Sequence, residues 1–173
     1  MLNQDYDRAI IVALGSNLPG AYGSSRELLE SVLEKMPVEG IGVLAVSQWW
    51  RSRAWPDLTD PDYLNGVAIV ETNLQAEQLL TRLTQIESAY GRGRTAQNAP
   101  RPLDLDLIAY GRRRIDAPGL TIPHPRAHDR LFVMGPLAEI APDWIHPGTG
   151  LPARRLAETA TVGRDAAPLG WTT

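Results

Sequence analysis

Two amphipathic helices threaded between four apolar, β-branched stretches predict an α+β chain. In order they read strand, helix, strand, strand, helix, strand. That is the split βαββαβ pattern of a ferredoxin-like sandwich, an antiparallel sheet with helices packed on one side. The last strand supplies the third observation. There Leu103, Leu105 and Leu107 alternate with Asp104 and Asp106, as expected for a strand with one apolar face.

Ala9 to Leu14 reads as a buried first strand ending at Gly15-Ser16-Asn17. Ser24 followed by Glu27 fits a capping box, and Leu29, Val32, Leu33 and Met36 recur at helical spacing until Pro37. Ile41 to Arg51 is β-branched and aromatic enough for the second strand. Pro56 to Pro61, rich in proline and aspartate, reads as an exposed loop. Tyr63 to Glu71 is the third strand, and a helix follows from Leu74 to Tyr90 with Leu79, Leu83, Ile86 and Tyr90 as its stripe. Gly91 to Pro100 has almost no apolar anchor and is expected to be a mobile loop. Leu103 to Tyr110 is the acidic strand, turned at Gly111 into a short partner at Arg113 to Ile115. Pro123-His124-Pro125 is rigid and extended, because each proline also restricts the residue before it. Ala127 to Ile140 is expected to be partly helical and broken at Pro136. One domain is expected over residues 1–173, with a core at about 9–145 and a loosely attached segment at about 150–173 whose end, Asp165 to Thr173, is disordered.

No stretch approaches 18 continuous apolar residues, so a membrane span is not expected. Met1 to Arg8 is polar and acidic and lacks the basic-then-apolar pattern of a signal segment. With no cysteine, disulfides, thiolate metal sites and a cysteine nucleophile are excluded, which agrees with a cytoplasmic protein. A net charge of −3 argues against a general nucleic-acid binder. Lys35 is the only lysine, yet Arg92, Arg94, Arg101, Arg112, Arg113 and Arg114 crowd around the two aspartates. Arginine grips phosphate as a planar fork, so this pattern predicts a local anion site. No apolar surface stripe calls for an oligomer, and a monomer is expected.

Asp104 and Asp106 would share one strand face about 6–7 Å apart. Two like charges there repel unless water screens them or a cation sits between them. Magnesium suits the pair, since it binds one or two carboxylates together with substrate phosphates; the alternative is a solvated acidic face. Tyr63 and Asn65 also share a face, offering a flat ring beside an amide that both donates and accepts, a pairing able to hold a heterocycle. Glu87 falls beside the apolar side of its helix and needs a partner, either an arginine or a ligand. Arg92 and Arg94 open the loop and Arg101 closes it, well placed to hold and release polyphosphate. His124, fixed between prolines near Arg126 and Arg130, points to anion binding. Gly15-Ser16-Asn17 is not a P-loop, because no lysine follows it. G-x-S-x-G and H-E-x-x-H are also absent.

Seven pieces together resemble the 6-hydroxymethyl-7,8-dihydropterin pyrophosphokinases of folate biosynthesis. They are Ala13-Leu14-Gly15-Ser16-Asn17-Leu18, Tyr63-Leu64-Asn65, Ile86-Glu87 with Gly91-Arg92-Gly93-Arg94, Pro100 to Asp106, Pro123-His124-Pro125-Arg126, Arg130-Leu131-Phe132-Val133 and Pro136 to Pro142. The resemblance implies transfer of the β,γ-pyrophosphoryl group of ATP to the pterin's hydroxymethyl oxygen, with AMP released. It implies that Asp104 and Asp106 hold two Mg2+ ions, that Tyr63 and Phe132 sandwich the pterin, and that Asn65 bonds the pterin's edge. It further implies phosphate contacts from Arg92, Arg94, Arg101, His124 and Arg130, with Arg92 and Arg101 catalytic, and Glu87 in the ATP-side network with Arg92.

Two departures from the family pattern stand out. Gln97-Asn98-Ala99-Pro100 lacks the aromatic residue, often tryptophan, usual before the aspartates and is one residue shorter. Arg51 to Pro56 lacks the proline-rich stretch of many relatives, where Trp55 is a candidate replacement for apolar cover. One rival is another magnesium-dependent phosphoryl or nucleotidyl transferase acting on a small heterocyclic alcohol. A second is a non-catalytic ferredoxin-like binding module, which a single phenylalanine and the net charge of −3 disfavour.

Overall fold

Strand β1 (Ile10–Ser16) lies in the middle of the sheet, antiparallel to β4 (Tyr63–Glu71) on one side and to β5 (Asp104–Tyr110) on the other. The computed structural model describes residues 6–18, 20–54, 58–91 and 102–170. Strands β2 (Gly42–Val46) and β3 (Trp50–Ser52) both pair with β4, which gives the order β5-β1-β4-β3 with β2 also against β4. Four antiparallel ribbons joined by α1 (Ser25–Lys35) and α2 (Ala76–Ala89) make this the ferredoxin-like arrangement that the element order predicts.

The second strand is broken, where a single run to Arg51 is expected. Ser47 hydrogen-bonds β4 through its side chain, its Oγ accepting from Val67 N at 3.0 Å, and Gln48 N turns away to Glu139 at 3.2 Å. Gly66 permits the adjoining step. A Cβ there would lie 2.5 Å from the Trp49 ring, so the indole packs directly on the β4 backbone.

Helices cover both faces of the sheet, not one. β4 is buried at every residue from Leu64 to Val70, and a strand with two buried faces needs cover on each. On one face α1 and α2 contribute Leu28, Leu29, Val32, Leu79, Leu83 and Ile86, packed on Val12, Leu14, Leu105 and Leu107. On the other, α3 (Leu131–Ile140) and α4 (Ala153–Thr159) bring Val133, Met134, Leu137 and Leu156 onto Ile11, Val67, Ile69 and Ile108.

Ser24 caps α1 as its sequence predicts, its Oγ accepting from Glu27 N at 3.1 Å, while the Glu27 carboxylate takes Gly23 N. Three further expectations change. α3 runs through Pro136 unbroken. The proline removes one backbone bond, but it is buried with its neighbours, and Gly135 lets the helix lie on the Trp50 ring. Ile115–Ala117 (β6) pairs with Leu120–Ile122 (β7) as a separate hairpin and does not extend β5. The segment after Gly150 is tied down. Its α4 buries Ala153 and Leu156, and Ala167–Pro168 (β8) pairs with β3. The Gly91–Pro100 loop lies outside the described residues apart from Gly91, and so do Trp55 and Trp171 to Thr173. Among the described residues no helix is long and apolar enough to cross a membrane.

Candidate active site

One end of the α3-facing side of the sheet collects the polar residues. Gly15 on β1 stands opposite Asn65 on β4 and opposite Asp104 on β5, so the three lie in a row across the sheet. Two strand spacings put Asn65 about 10 Å from Asp104. One step along, Ala13 separates Asp106 from Val67. Glycine and alanine at these central positions leave open floor between the amide and the carboxylates. A Cβ on Gly15 would sit 3.5 Å from Asn65 Oδ1.

Asp104 and Asp106 are half-buried and face away from Leu103, Leu105 and Leu107, as the alternation predicts. β5 is the outer strand of the sheet, so some of its backbone groups lack a strand partner. Glu87, 2% exposed on α2, fills one of these places: its carboxylate accepts from Leu105 N at 2.9 Å, between the two aspartates. The sequence leaves the partner of Glu87 open between an arginine and a ligand; among the described residues its carboxylate meets the Leu105 amide and so also supports the acidic strand.

A register shift beside Ile11 makes Ile108 an extra residue on β5. The Ile108 carbonyl accepts from His124 N at 2.9 Å, which brings His124 within electrostatic reach of Asp106. Burial lowers the His124 pKa, opposed by Asp106 and reinforced by Arg130 and Arg126. His124 Nδ1 accepts from Arg126 N at 3.2 Å, so the neutral ring carries its proton on Nε2 and offers a donor there. A cavity of about 440 Å3 opens past His124, lined also by Arg114, Thr121, His128, His146 and Thr149.

On the other side of the row, Tyr63 is half-buried and Asn65 is 7% exposed. Asn65 Nδ2 donates to Ser52 Oγ at 2.9 Å, which leaves Oδ1 directed over Gly15. Phe132, in the first turn of α3, packs at the edge of the second core with the Arg130 guanidinium 5.7 Å from its ring centre. Asn65, Asp104 and Asp106 therefore share one end of one sheet face and Glu87 reaches the acidic strand from α2 on the other layer, while Arg92, Arg94 and Arg101 lie outside the described residues. Nothing local in the sequence signals Ser52 as the support of Asn65, because the contact spans 13 residues and two strands. Gly15 is visible in the sequence, but its value as open floor depends on register.

The family model described as 7,8-dihydro-6-hydroxymethylpterin-pyrophosphokinase (HPPK) matches residues 11–142. The chain belongs to this family. A Synechocystis 2-amino-4-hydroxy-6-hydroxymethyldihydropteridine pyrophosphokinase is 43% identical over 86% of this chain and 74% of its own length. The enzyme of the same name from Pseudomonas aeruginosa is 39% identical over 78% of this chain and 81% of its own. Among solved structures, a Plasmodium falciparum HPPK-DHPS chain superposes with a TM-score of 0.66 at 12% identity, over 87% of this chain and 45% of that one. The structural likeness supports the HPPK fold, and the chain spans less than half of that longer protein.

Three ring nitrogens are buried without a hydrogen-bond partner among the described residues: His128 Nδ1, Trp144 Nε1 and His146 Nε2, with His128 and His146 lining the cavity beside His124. His146 Nδ1 accepts from Gly148 N at 2.9 Å and Thr149 N at 3.0 Å. Burial, then His128, Arg112 and Arg114, bring its pKa down to about 4. The unfolded chain takes this proton near pH 6.5 and the folded one only near 4. Stability is therefore lost as pH falls through that window, by about 2–3 kcal/mol, with His124 acting in the same direction. Urea unfolding between pH 7 and 4.5 should show this slope, and His146→Gln should remove nearly one proton of it. An unchanged slope in the variant would place the titration elsewhere.

Proposed function

We propose that Asp104 and Asp106 hold two magnesium ions on the phosphates of ATP, while Tyr63, Asn65 and Phe132 hold the pterin. The protein is a pyrophosphokinase of folate biosynthesis, transferring the β,γ-pyrophosphoryl group of ATP to 6-hydroxymethyl-7,8-dihydropterin. The row of Asn65, Gly15 and Asp104 carries the site assignment: a heterocycle reader and a carboxylate pair flank open floor on one sheet face.

The residues present suit magnesium. Two hard carboxylates share a face, and no group of three or more His, Cys, Asp or Glu among the described residues could form a complete cage of its own. That matches an ion shared between protein oxygens and substrate phosphates. When bound, magnesium neutralises charge on the phosphate oxygens. The chain's own groups do the rest. Asn65 Oδ1, held by the Ser52 bond through Nδ2, accepts from the heterocycle's edge and fixes the hydroxymethyl group towards the aspartates. His124 donates from Nε2 to a phosphate oxygen. The cavity beyond it receives the nucleoside end, so the polyphosphate runs from the cavity across Asp106 towards Asp104. Arg130 adds positive charge beside Phe132, and Arg92, Arg94 and Arg101 supply further phosphate contacts, with Arg92 and Arg101 as the catalytic cations.

In the transfer, the hydroxymethyl oxygen bonds to the β-phosphorus, the bond from that phosphorus to the α,β-bridging oxygen breaks, and AMP leaves. The hydroxyl proton is released, and no general base stands out among the described residues. Positioning two substrates in line can account for about 7–11 kcal/mol of barrier reduction. Incubation with ATP, magnesium and the dihydropterin alcohol, followed by nucleotide chromatography, should yield AMP. ADP as the sole nucleotide product would make the protein an ordinary kinase, and release of pyrophosphate would make it a nucleotidyl transferase.

A further inference from the structure

We infer that the C-terminal stretch Thr161–Pro168 is a positioning element for the heterocycle subsite, acting through Gly163 on Phe132 and through Asp165 on Asn65. This rests on the assignment of Phe132 and Asn65 to the pterin. The stretch lies beyond residues 11–142, the part of the chain that matches the family.

At one end the stretch is fastened to the start of α3. Val162 N donates to Asp129 O at 2.9 Å and Val162 O accepts from Leu131 N at 2.9 Å, while Thr161 binds the Asp129 carboxylate through both its backbone N and its Oγ1. Gly163 follows with a φ of +71°, and a Cβ placed there would lie 2.5 Å from Phe132 Cδ1. The phenylalanine ring therefore rests on bare backbone, and any larger residue would push the ring out of place. Ala166 N donates to Gly163 O at 2.9 Å, turning the chain across to β3. There the Asp165 carboxylate accepts from Arg53 N at 2.6 Å, one residue past Ser52. Ala167 and Pro168 pair with Arg51 and Trp50.

Ser52 is the residue whose hydroxyl holds Asn65 Nδ2. One short stretch thus touches the ring on α3 and pins the backbone that supports the amide on β4. Sheet completion is a weak account of it, since β8 has two residues and its pairing ends at Arg51. The Asp165 bond is exposed, so its loss should cost little stability but should free the Ser52–Arg53 backbone.

Steady-state kinetics of Asp165→Ala, Asp165→Asn and Gly163→Ala, with each substrate varied in turn, test this. Asp165→Ala should raise KM for the dihydropterin alcohol about fivefold, the effect of one lost hydrogen bond, with KM for ATP and kcat within about twofold. Asp165→Asn keeps an acceptor oxygen and should restore KM. Gly163→Ala should raise the same KM by about tenfold or more through the displaced ring. A purely structural strand would lower melting temperature or active fraction and leave both KM values alone. That result, or equal movement of both KM values, would overturn the inference. Asn65→Ala, run in parallel, separates the two levels. If it weakens the pterin while Asp165→Ala does not, only the role of the stretch falls. If it also leaves the pterin unaffected, the subsite assignment itself falls.

Discussion

Alanine at Asp104 or Asp106 should lower kcat/KM by about a thousandfold or more and leave the fold intact. Both carboxylates are half-buried and lie opposite the leucines of β5, so truncation opens no cavity in the core. In the proposed role, what is lost is the oxygen donor that would hold a cation against the phosphates, a contribution of several kcal/mol to the transition state. At about 1.4 kcal/mol per factor of ten, that corresponds to a thousandfold. Melting temperature without nucleotide should change little, because truncating either half-buried side chain removes no core contact. Kinetics across a magnesium titration, with melting curves on the same samples, would check both halves. Activity within about tenfold of the parent in either variant would rule out a metal-holding role.

Asn65→Ala should weaken the dihydropterin by about 10–100-fold while ATP binding changes little. Asn65 is buried, its amide nitrogen is committed to Ser52, and its oxygen is directed over Gly15. A ligand bonded to that oxygen would lose a buried hydrogen bond, worth about 1–3 kcal/mol when its partner is left unsatisfied. The proposed nucleotide side, around His124 and the cavity beyond it, lies across Gly15 and the aspartates, and Asn65 does not line that cavity. Calorimetric titration of each ligand, alone and with the other present, would separate the effects. A variant that lost ATP and kept the pterin would show that the two subsites are exchanged.

How far the sequence reaches depends on whether a feature is periodic. β4 runs from Tyr63 to Glu71 as its residues predict, and the two aspartates share a face because a strand alternates. The cap on α1 was equally legible, being local to four residues. Tertiary substitutions were not. The break in the second strand depends on a Ser47 hydroxyl replacing a ladder partner and on Trp49 lying over Gly66, contacts about 20 residues apart in sequence. Pro136 suggests a broken helix when the sequence is read alone, yet burial against Trp50 carries the helix through it. The segment after Gly150 looks loose because its anchors, Asp129, Arg53 and Trp50, lie far away along the chain.

The Glu87–Leu105 bond also bears on how the protein avoids its neighbours. An outermost strand presents bare amides and carbonyls, a template on which another chain can grow a sheet. On β5 that template is interrupted twice. A carboxylate occupies the Leu105 amide, and the His124 amide occupies the Ile108 carbonyl at the bulge. An incoming strand would have to displace a buried acid and peel away the segment bearing His124. The same two contacts that aim the acidic pair and the histidine thus guard the margin of the sheet against self-association, so a variant that loosens the site at Glu87 should also become more prone to aggregate.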